Sequence, residues 1–431
     1  MATGSSRPKS GPKSGPKSGL KSGLRPASKP TSRSDAKRRA KDRRVEQRGT
    51  LEQLFASKEI VVTCGSGGVG KTTTAAATAA MAAAHLGGKV LVLTVDPAKR
   101  LASALGLEQF GNLETRVPDE LFTDAGVDPR GELWAAMLDT KLSWDDLVRT
   151  HAPDDATRDA ILANPLYQNI TGKFVQSHDY IAMERLYEIH ASGRYDLIVV
   201  DTPPTRNAID FLEAPERMAD FFSSRLLRWL IAPYRSRLYN AASKPFYLVA
   251  DRILGSQFLA DIAEFFILFQ TMYDGFVERA EAVTRTLQDR RTTFMVVSTL
   301  EAAPAREAEF FIDALEGRGF HLGAVVLNKV LPDYFVDRGA TSVARSLAKD
   351  PDAVSEKVLD LLPAGTDLAM VSRVLREVGE SFLNYRVVAT REAEQQAELA
   401  RKPEIVASVP YFESDIFDLA GLLRLGDQIW R

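Results

Sequence analysis

From residue 51 onward the chain alternates short apolar runs with longer mixed stretches. The runs are Ile60–Cys64, Val90–Val95, Asp196–Val200, Phe294–Ser298, Ala324–Leu327 and Ile405–Val409. None alternates polar with apolar positions, which is the pattern of strands covered by helices on both faces. Helical stretches separate them, so the pattern predicts an α/β fold, a doubly wound and mostly parallel sheet. The strands are spread over residues 51–431. The long intervals at about 130–190 and 211–290 therefore read as insertions forming a helical subdomain, and 331–400 as a third, more polar helical insertion.

The first fifty residues break this pattern. Pro-Lys-Ser-Gly repeats from Pro8 through Gly19, and Lys-Ser-Gly returns at 21–23. Few apolar groups offset the entropy of ordering, so residues 1–50 read as a disordered basic tail. This segment carries 15 Lys and Arg against 3 Asp and Glu, which leaves 40 against 54 for the remainder. The tail suits either a solvated arm or contact with an anionic surface or nucleic acid. No aromatic residue is interleaved to stack on bases, which favours the solvated arm.

Cys64 is the one cysteine, so neither an internal disulfide nor a cysteine-based zinc cluster can form within the chain. No apolar run is long enough to span a bilayer, and the N-terminus has no continuous apolar signal core. The expected compartment is the cytoplasm, with peripheral membrane contact left open by the basic tail.

The chemistry starts after the first apolar run, at Cys64-Gly-Ser-Gly-Gly-Val-Gly-Lys-Thr-Thr73. Gly65, Gly70, Lys71 and Thr72 satisfy the phosphate-loop pattern G-x-x-x-x-G-K-[ST]. The backbone of Gly65, Ser66, Gly67, Gly68, Val69 and Gly70 is expected to cradle phosphate oxygens, where a Cβ would clash. Lys71 reaches the β- and γ-phosphates and acts in catalysis. The hydroxyl of Thr72 ligates Mg²⁺, and Thr73 is expected to join the nucleotide-binding residues. An alanine-rich helix follows, so the phosphates of ATP or ADP meet a helix N-terminus. Two more strands end in carboxylates, Asp96 in Val95-Asp-Pro-Ala98 and Asp201 in Leu197-Ile-Val-Val-Asp201-Thr-Pro-Pro204. Ligands bind outside the carboxyl ends of strands in open α/β sheets. Apolar residues followed by aspartate form the Walker B pattern, which assigns Asp201 to Mg²⁺.

Gly65–Thr73, Asp96–Ala98 and Asp201–Asn207 resemble the P-loop, switch I and switch II of the ArsA-like ATPases, a deviant Walker A group. That family includes the arsenite-pump ATPase and the guided-entry ATPase that delivers tail-anchored membrane proteins. The stretch from Val199 to Pro215 is most similar to the actinobacterial branch known as anion-transporting ATPases. The resemblance spans roughly residues 58–431. It implies that Asp96 orients the attacking water and that Asp201 holds Mg²⁺ through its water shell. It also implies that Asn328 reads the adenine edge, that Pro410 and Tyr411 sandwich the base, and that Glu301 lies near a dimer interface. Without the resemblance, a turn asparagine and a core aromatic are the favoured readings of Asn328 and Tyr411.

Three departures narrow the function. Ser66 stands where the family places a lysine that crosses a dimer to the partner's phosphates. Charge supplied in trans contributes about 10³–10⁵ in rate, or about 4–7 kcal/mol of barrier. Its absence implies either a heterodimer with a lysine-bearing paralogue or a slow switch, unless Lys99, Arg100 or Arg206 substitutes. A single cysteine cannot form a metalloid site, nor the zinc-binding C-x-x-C pair of eukaryotic guided-entry relatives. Thr205-Arg206-Asn207 replaces the usual Thr-Gly-His.

Two apolar stretches, Gln257–Tyr273 and Phe221–Ile231, suit either a groove for a hydrophobic or membrane-protein client or burial within the subdomain. The leading function is thus a dimeric ATPase that handles such a client. A partition-type ATPase acting on DNA or membrane, and a regulatory module with ATP as conformational ligand, are the competing readings.

Overall fold

The computed structural model describes residues 49–95, 99–107, 112–168, 175–203, 212–217, 220, 224–225, 256–359, 361–363, 365–412 and 414–430. The residues after Arg48 form one compact unit. Its eight strands are β1 (Ile60–Cys64), β2 (Gly88–Thr94), β3 (Thr115–Arg116), β4 (Gly131–Met137), β5 (Leu197–Asp201), β6 (Thr292–Ser298), β7 (Leu322–Val330) and β8 (Ile405–Pro410). They lie side by side in the order β3-β4-β2-β5-β1-β6-β7-β8. All neighbours pair in parallel except β3 with β4.

The six apolar runs all become strands, and several extend further toward their N-terminal ends. Thr292-Thr293, Gly88-Lys89 and Leu322-Gly323 join the ladder although they are not an apolar run. Hydrophobicity marks the buried part of a strand, whereas pairing depends on the backbone.

One reading needs correction. The interval from residue 130 begins with β4, not a helix. Leu133, Ala135, Ala136 and Met137 are strong helix formers, yet β4 pairs with β2 along its whole length, from Gly88↔Gly131 to Thr94↔Met137. Tertiary pairing overrides local propensity there. The helices of this interval follow it, at Thr140–His151, Asp155–Ala163 and Val175–Ala191.

Alternate residues of each strand enter opposite cores. Ile60, Val62, Leu91, Ile198, Val200, Phe294 and Val296 face one core, together with Trp144, Tyr180 and Phe276 from the helical layer. Val61, Val92, Val199, Met295 and Val297 face the other, with the alanines of Lys71–His85 and the leucines of Leu419–Trp430. Both sheet faces are dry, as the unbroken apolar runs require. The amphipathic C-terminal helix packs on this second layer, where Trp430 meets Phe55 with ring centroids 5.5 Å apart.

One side of Gln257–Tyr273 faces inward, while Glu264 and Thr271 are exposed. Phe265, Phe269 and Met272 are buried with Trp144 and Tyr167, so these three side chains pack into the core on that face of the sheet. The stretch Phe221–Ile231 lies outside the described residues except Ser224 and Arg225. No helix among the described residues is long and apolar enough to cross a membrane.

Candidate functional site

β1 is central, with β5 on one side and β6 on the other, and the chain leaves β1 at Cys64 directly into Gly65–Gly70. Here the chain's progress across the sheet changes direction, which opens a crevice at the strands' carboxyl ends. Gly65 and Gly70 have φ of 146° and 97°. A Cβ on Gly65 would fall 2.1 Å from the Val297 carbonyl oxygen, and one on Gly70 would fall 2.4 Å from Asn328 Nδ2. Both positions admit only glycine, for backbone conformation and for space.

Substituting the first of them gives a direct check. Gly65→Ala should lower stability by about 1–3 kcal/mol through the strained backbone alone and abolish nucleotide binding. Thermal unfolding and calorimetric titration with Mg·ATP read the two effects.

Helix Lys71–His85 starts at Gly70, which supplies no side-chain cap. Its first-turn N–H groups are therefore left for another acceptor, the arrangement that favours an anion. Lys71 is buried, and its Nζ donates to the Ser66 carbonyl oxygen at 3.0 Å. Thr72 and Thr73 are half-buried at the helix start, while Gly67 and Gly68 are exposed. Ser66 Oγ donates to the Glu307 carboxylate on helix Ala302–Gly317. A carboxylate thus stands beside Ser66 in the phosphate loop. Glu307 lies 241 residues away in sequence, and nothing in its local pattern distinguishes it from a solvated helix face.

Asp201 is fully buried at the end of β5. It pairs in register with Thr63 of β1 and Thr94 of β2, and Thr94 Oγ1 donates to its Oδ2 at 3.0 Å. The next residue ties the strand end to the loop's own strand, because Thr202 Oγ1 donates to the Thr63 carbonyl at 2.8 Å. Neither Thr94 nor Thr202 was singled out by the sequence pattern. Asp96 lies outside the described residues, as do Pro97, Ala98 and positions 204–211.

On the other side of β1, Asn328 Nδ2 donates to the Val69 carbonyl at 2.8 Å, and its Oδ1 accepts from Lys329 N–H at 3.0 Å. The amide keeps a second hydrogen and a second lone pair for a ligand. Lys329 is left-handed, with φ 60°, at the place where the β7–β8 register shifts between Leu327 and Val330. Such a backbone on a non-glycine residue concentrates at functional sites. Pro410 pairs with Val330 at the same edge, and Tyr411 is 69% exposed, so it is a surface aromatic rather than a core one. Glu301 precedes helix Ala302–Gly317 and is exposed. The phosphate loop, Asp201, Asn328 and the Pro410–Tyr411 pair thus lie along one edge of the sheet.

Cys64 ends β1 beside this site. Burial pushes its thiol up to about 12, so it stays protonated and unreactive in the folded chain.

These residues fit a magnesium nucleotide on structural grounds. The loop has no room for side chains at two glycines, the helix N-terminus is left without a side-chain cap, and a buried carboxylate stands on the adjacent strand. Comparison with known proteins agrees. The family described as anion-transporting ATPase matches residues 58–357. An uncharacterized protein of Streptomyces coelicolor is 31% identical over 62% of this chain and 62% of its own length. An ATPase ASNA1 homolog of Paramecium tetraurelia is 26% identical over 62% of this chain and 74% of its own length. The ATPase GET3 of Chaetomium globosum is 24% identical, with 62% and 71% covered. The match thus spans less than two thirds of the Streptomyces relative. With the phosphate loop and the mostly parallel sheet consistent with this match, the chain belongs to the anion-transporting ATPase family.

Proposed function

We propose that this chain binds and hydrolyses ATP and uses nucleotide state to open and close a two-subunit assembly. The carrying observation is the juxtaposition of Gly65–Lys71 with buried Asp201, held by Thr94 on the neighbouring strand. The loop amides and Lys71 hold the phosphates, and Thr72 with Asp201 holds Mg²⁺, which supplies charge neutralisation at the transferring phosphoryl group. Asp96 orients the attacking water. Asn328 reads the base with its remaining donor and acceptor, and Pro410 and Tyr411 cover it.

The partner in this reading is a paralogue that carries the loop lysine. Ser66 brings no charge, and Glu307 beside it is an acceptor that a lysine from a second subunit can meet. We extend the proposal to a hydrophobic or membrane-associated client on the strength of the family likeness. The buried Phe265, Phe269 and Met272 take no part in it.

The test is titration of the purified chain with Mg·ATP, followed by phosphate release alone and with candidate paralogues. Binding with slow release by the isolated chain, faster on mixing, is the expected result. Absence of any heat of binding would remove the proposal. Asp96→Asn should bind normally and release no phosphate. Unchanged release in that variant would favour a regulatory module instead.

A further inference from the structure

Helix Leu368–Leu399 has 32 residues, about 48 Å at 1.5 Å per residue. One face is anchored to its own chain. Val371, Gly379 and Ala389 are buried on it. A Cβ on Gly379 would come within 2.6 Å of the Ala344 carbonyl on helix Arg338–Lys349, so the two helices meet almost backbone to backbone. Phe382 stacks with Tyr334 and Phe335 on the same side.

A second apolar face is largely exposed, although the Tyr385 ring also meets Phe335 of its own chain, with ring centroids 5.4 Å apart. Met370, Val374, Val378, Tyr385 and Val388 are 55, 45, 52, 53 and 47% exposed. With exposed Ser381 they follow one another at spacings of 4, 4, 3, 4 and 3 residues. From Val374 onward this is a repeat of 3.5, the period that keeps a seam facing a second helix. A surface helix with one core-facing stripe does not need this second one.

We infer that the stripe is a self-association seam, on which a second copy of this chain lays the same helix antiparallel, independently of nucleotide. Three observations choose this occupant and direction. First, antiparallel pairing places Ser381 against Tyr385 of the second copy, and Val378 against its Val388. Parallel pairing would stack Tyr385 on Tyr385 and leave Ser381 facing Ser381. Second, the seam's free flank carries Glu377, Asn384 and Arg391, all exposed. In the antiparallel register Glu377 faces Arg391 of the second copy, the reciprocal pair forms at the other end, and Asn384 lies opposite Asn384. Among the described residues, neither Glu377 nor Arg391 has an ion-pair partner within the chain. Third, the opposite flank, Leu375, Phe382 and Ala389, is turned toward its own chain, so it cannot supply the cross-flank pairs that a parallel seam uses. The polar residues around the stripe mix both signs, Arg373, Arg376, Glu377, Glu380 and Arg391, which does not suit an anionic membrane surface.

Sedimentation equilibrium of the full chain, in buffer with EDTA and no nucleotide, tests the seam apart from any nucleotide-driven pairing. Concentration-dependent dimerisation in the micromolar range is expected for an interface of this modest size. Val378→Asp should abolish it. Glu377→Arg and Arg391→Glu should each weaken it about tenfold, whereas an equal mixture of the two, or the double variant, should restore it. Asn384→Cys should also yield dimer with a short bismaleimide, since Cys64 is buried, and Arg376→Cys on the outer face should not. A monomeric wild-type chain, or dimerisation unchanged by Val378→Asp, overturns the seam. Failure of the mixed charge variants to reassociate overturns the antiparallel register. Circular dichroism of each variant confirms that these surface changes leave the helix folded.

Discussion

Lys71→Ala should reduce phosphate release by about 10³-fold or more while leaving the thermal stability of the chain close to that of the wild type. The size follows from the role. A positioned charge or donor aimed at developing transition-state charge is worth about 10²–10³ in rate when it is a single neutral hydrogen bond. A full cation on the β- and γ-phosphates belongs at or above the top of that range, about 4 kcal/mol. The stability expectation follows from the geometry. The Lys71 ammonium donates to a main-chain carbonyl, that of Ser66, at 3.0 Å. Its backbone opens an alanine-rich helix in which alanine is the best helix former. Affinity for Mg·ATP should fall less than turnover, because the loop amides and the helix N-terminus remain. Calorimetry and a phosphate-release assay on the same preparation separate the two effects. Equal turnover by Lys71→Ala and wild type would mean that the loop does no phosphoryl chemistry.

The same loop shows what can be read from a sequence and what cannot. Its glycines are legible because their requirement is local: a backbone with positive φ, turning into a helix start. Asp201 is legible because an apolar strand followed by a carboxylate is a contiguous pattern. The central strands are legible because burial on both faces leaves an unbroken apolar run. The β3–β4 edge of the sheet is not. β4 is made mostly of residues that favour helix, and its pairing with β2 makes it a strand. β3 has two residues, Thr115–Arg116, too few for any periodicity. The contacts that tune the site are equally hidden. Glu307 reaches Ser66, and Asn328 reaches the Val69 carbonyl, across 241 and 259 residues of chain. Such pairs are set by sheet order, which brings the ends of β6 and β7 beside β1, and no local pattern records it. Family resemblance supplied Asn328, but not the fact that its amide is already tied to the phosphate loop.

Arg279→Met should destabilise the folded chain by about 3–5 kcal/mol at neutral pH, the usual cost of leaving a buried charge without its partner. Arg279 Nε lies 2.5 Å from Glu184 Oε1, with the Glu184 side chain 1% exposed. Tyr180 donates to the other carboxylate oxygen at 2.9 Å, and the guanidinium lies 5.0 Å from the centre of the Phe276 ring. The donor atoms of His151, Glu184 and Glu188 all lie within 4.8 Å of one another. Arg279 and Tyr180 already occupy the Glu184 carboxylate, so the group reads as a buried ion pair rather than a metal centre. Burial pushes the Glu184 carboxyl above the ordinary range, and Arg279 is the largest influence holding it down. Removing the guanidinium should raise it further. A carboxyl raised in the folded state favours folding below its unfolded value, about 4.3, and that contribution is lost as pH rises through the folded value. The deficit of Arg279→Met should therefore be small in acid and grow toward neutral pH. His151 works in the same direction. Burial and Arg279 hold its imidazole below the ordinary range, and without Arg279 it can take up a proton more readily in acid, beside Glu184. Urea melts at pH 5 and pH 8 measure the slope. Glu184→Gln combined with Arg279→Met should flatten it and recover most of the loss, because neither charge of this pair then remains. A pH-independent deficit, or no recovery in the double variant, would show that Arg279 acts through packing against Phe276 and not through its charge.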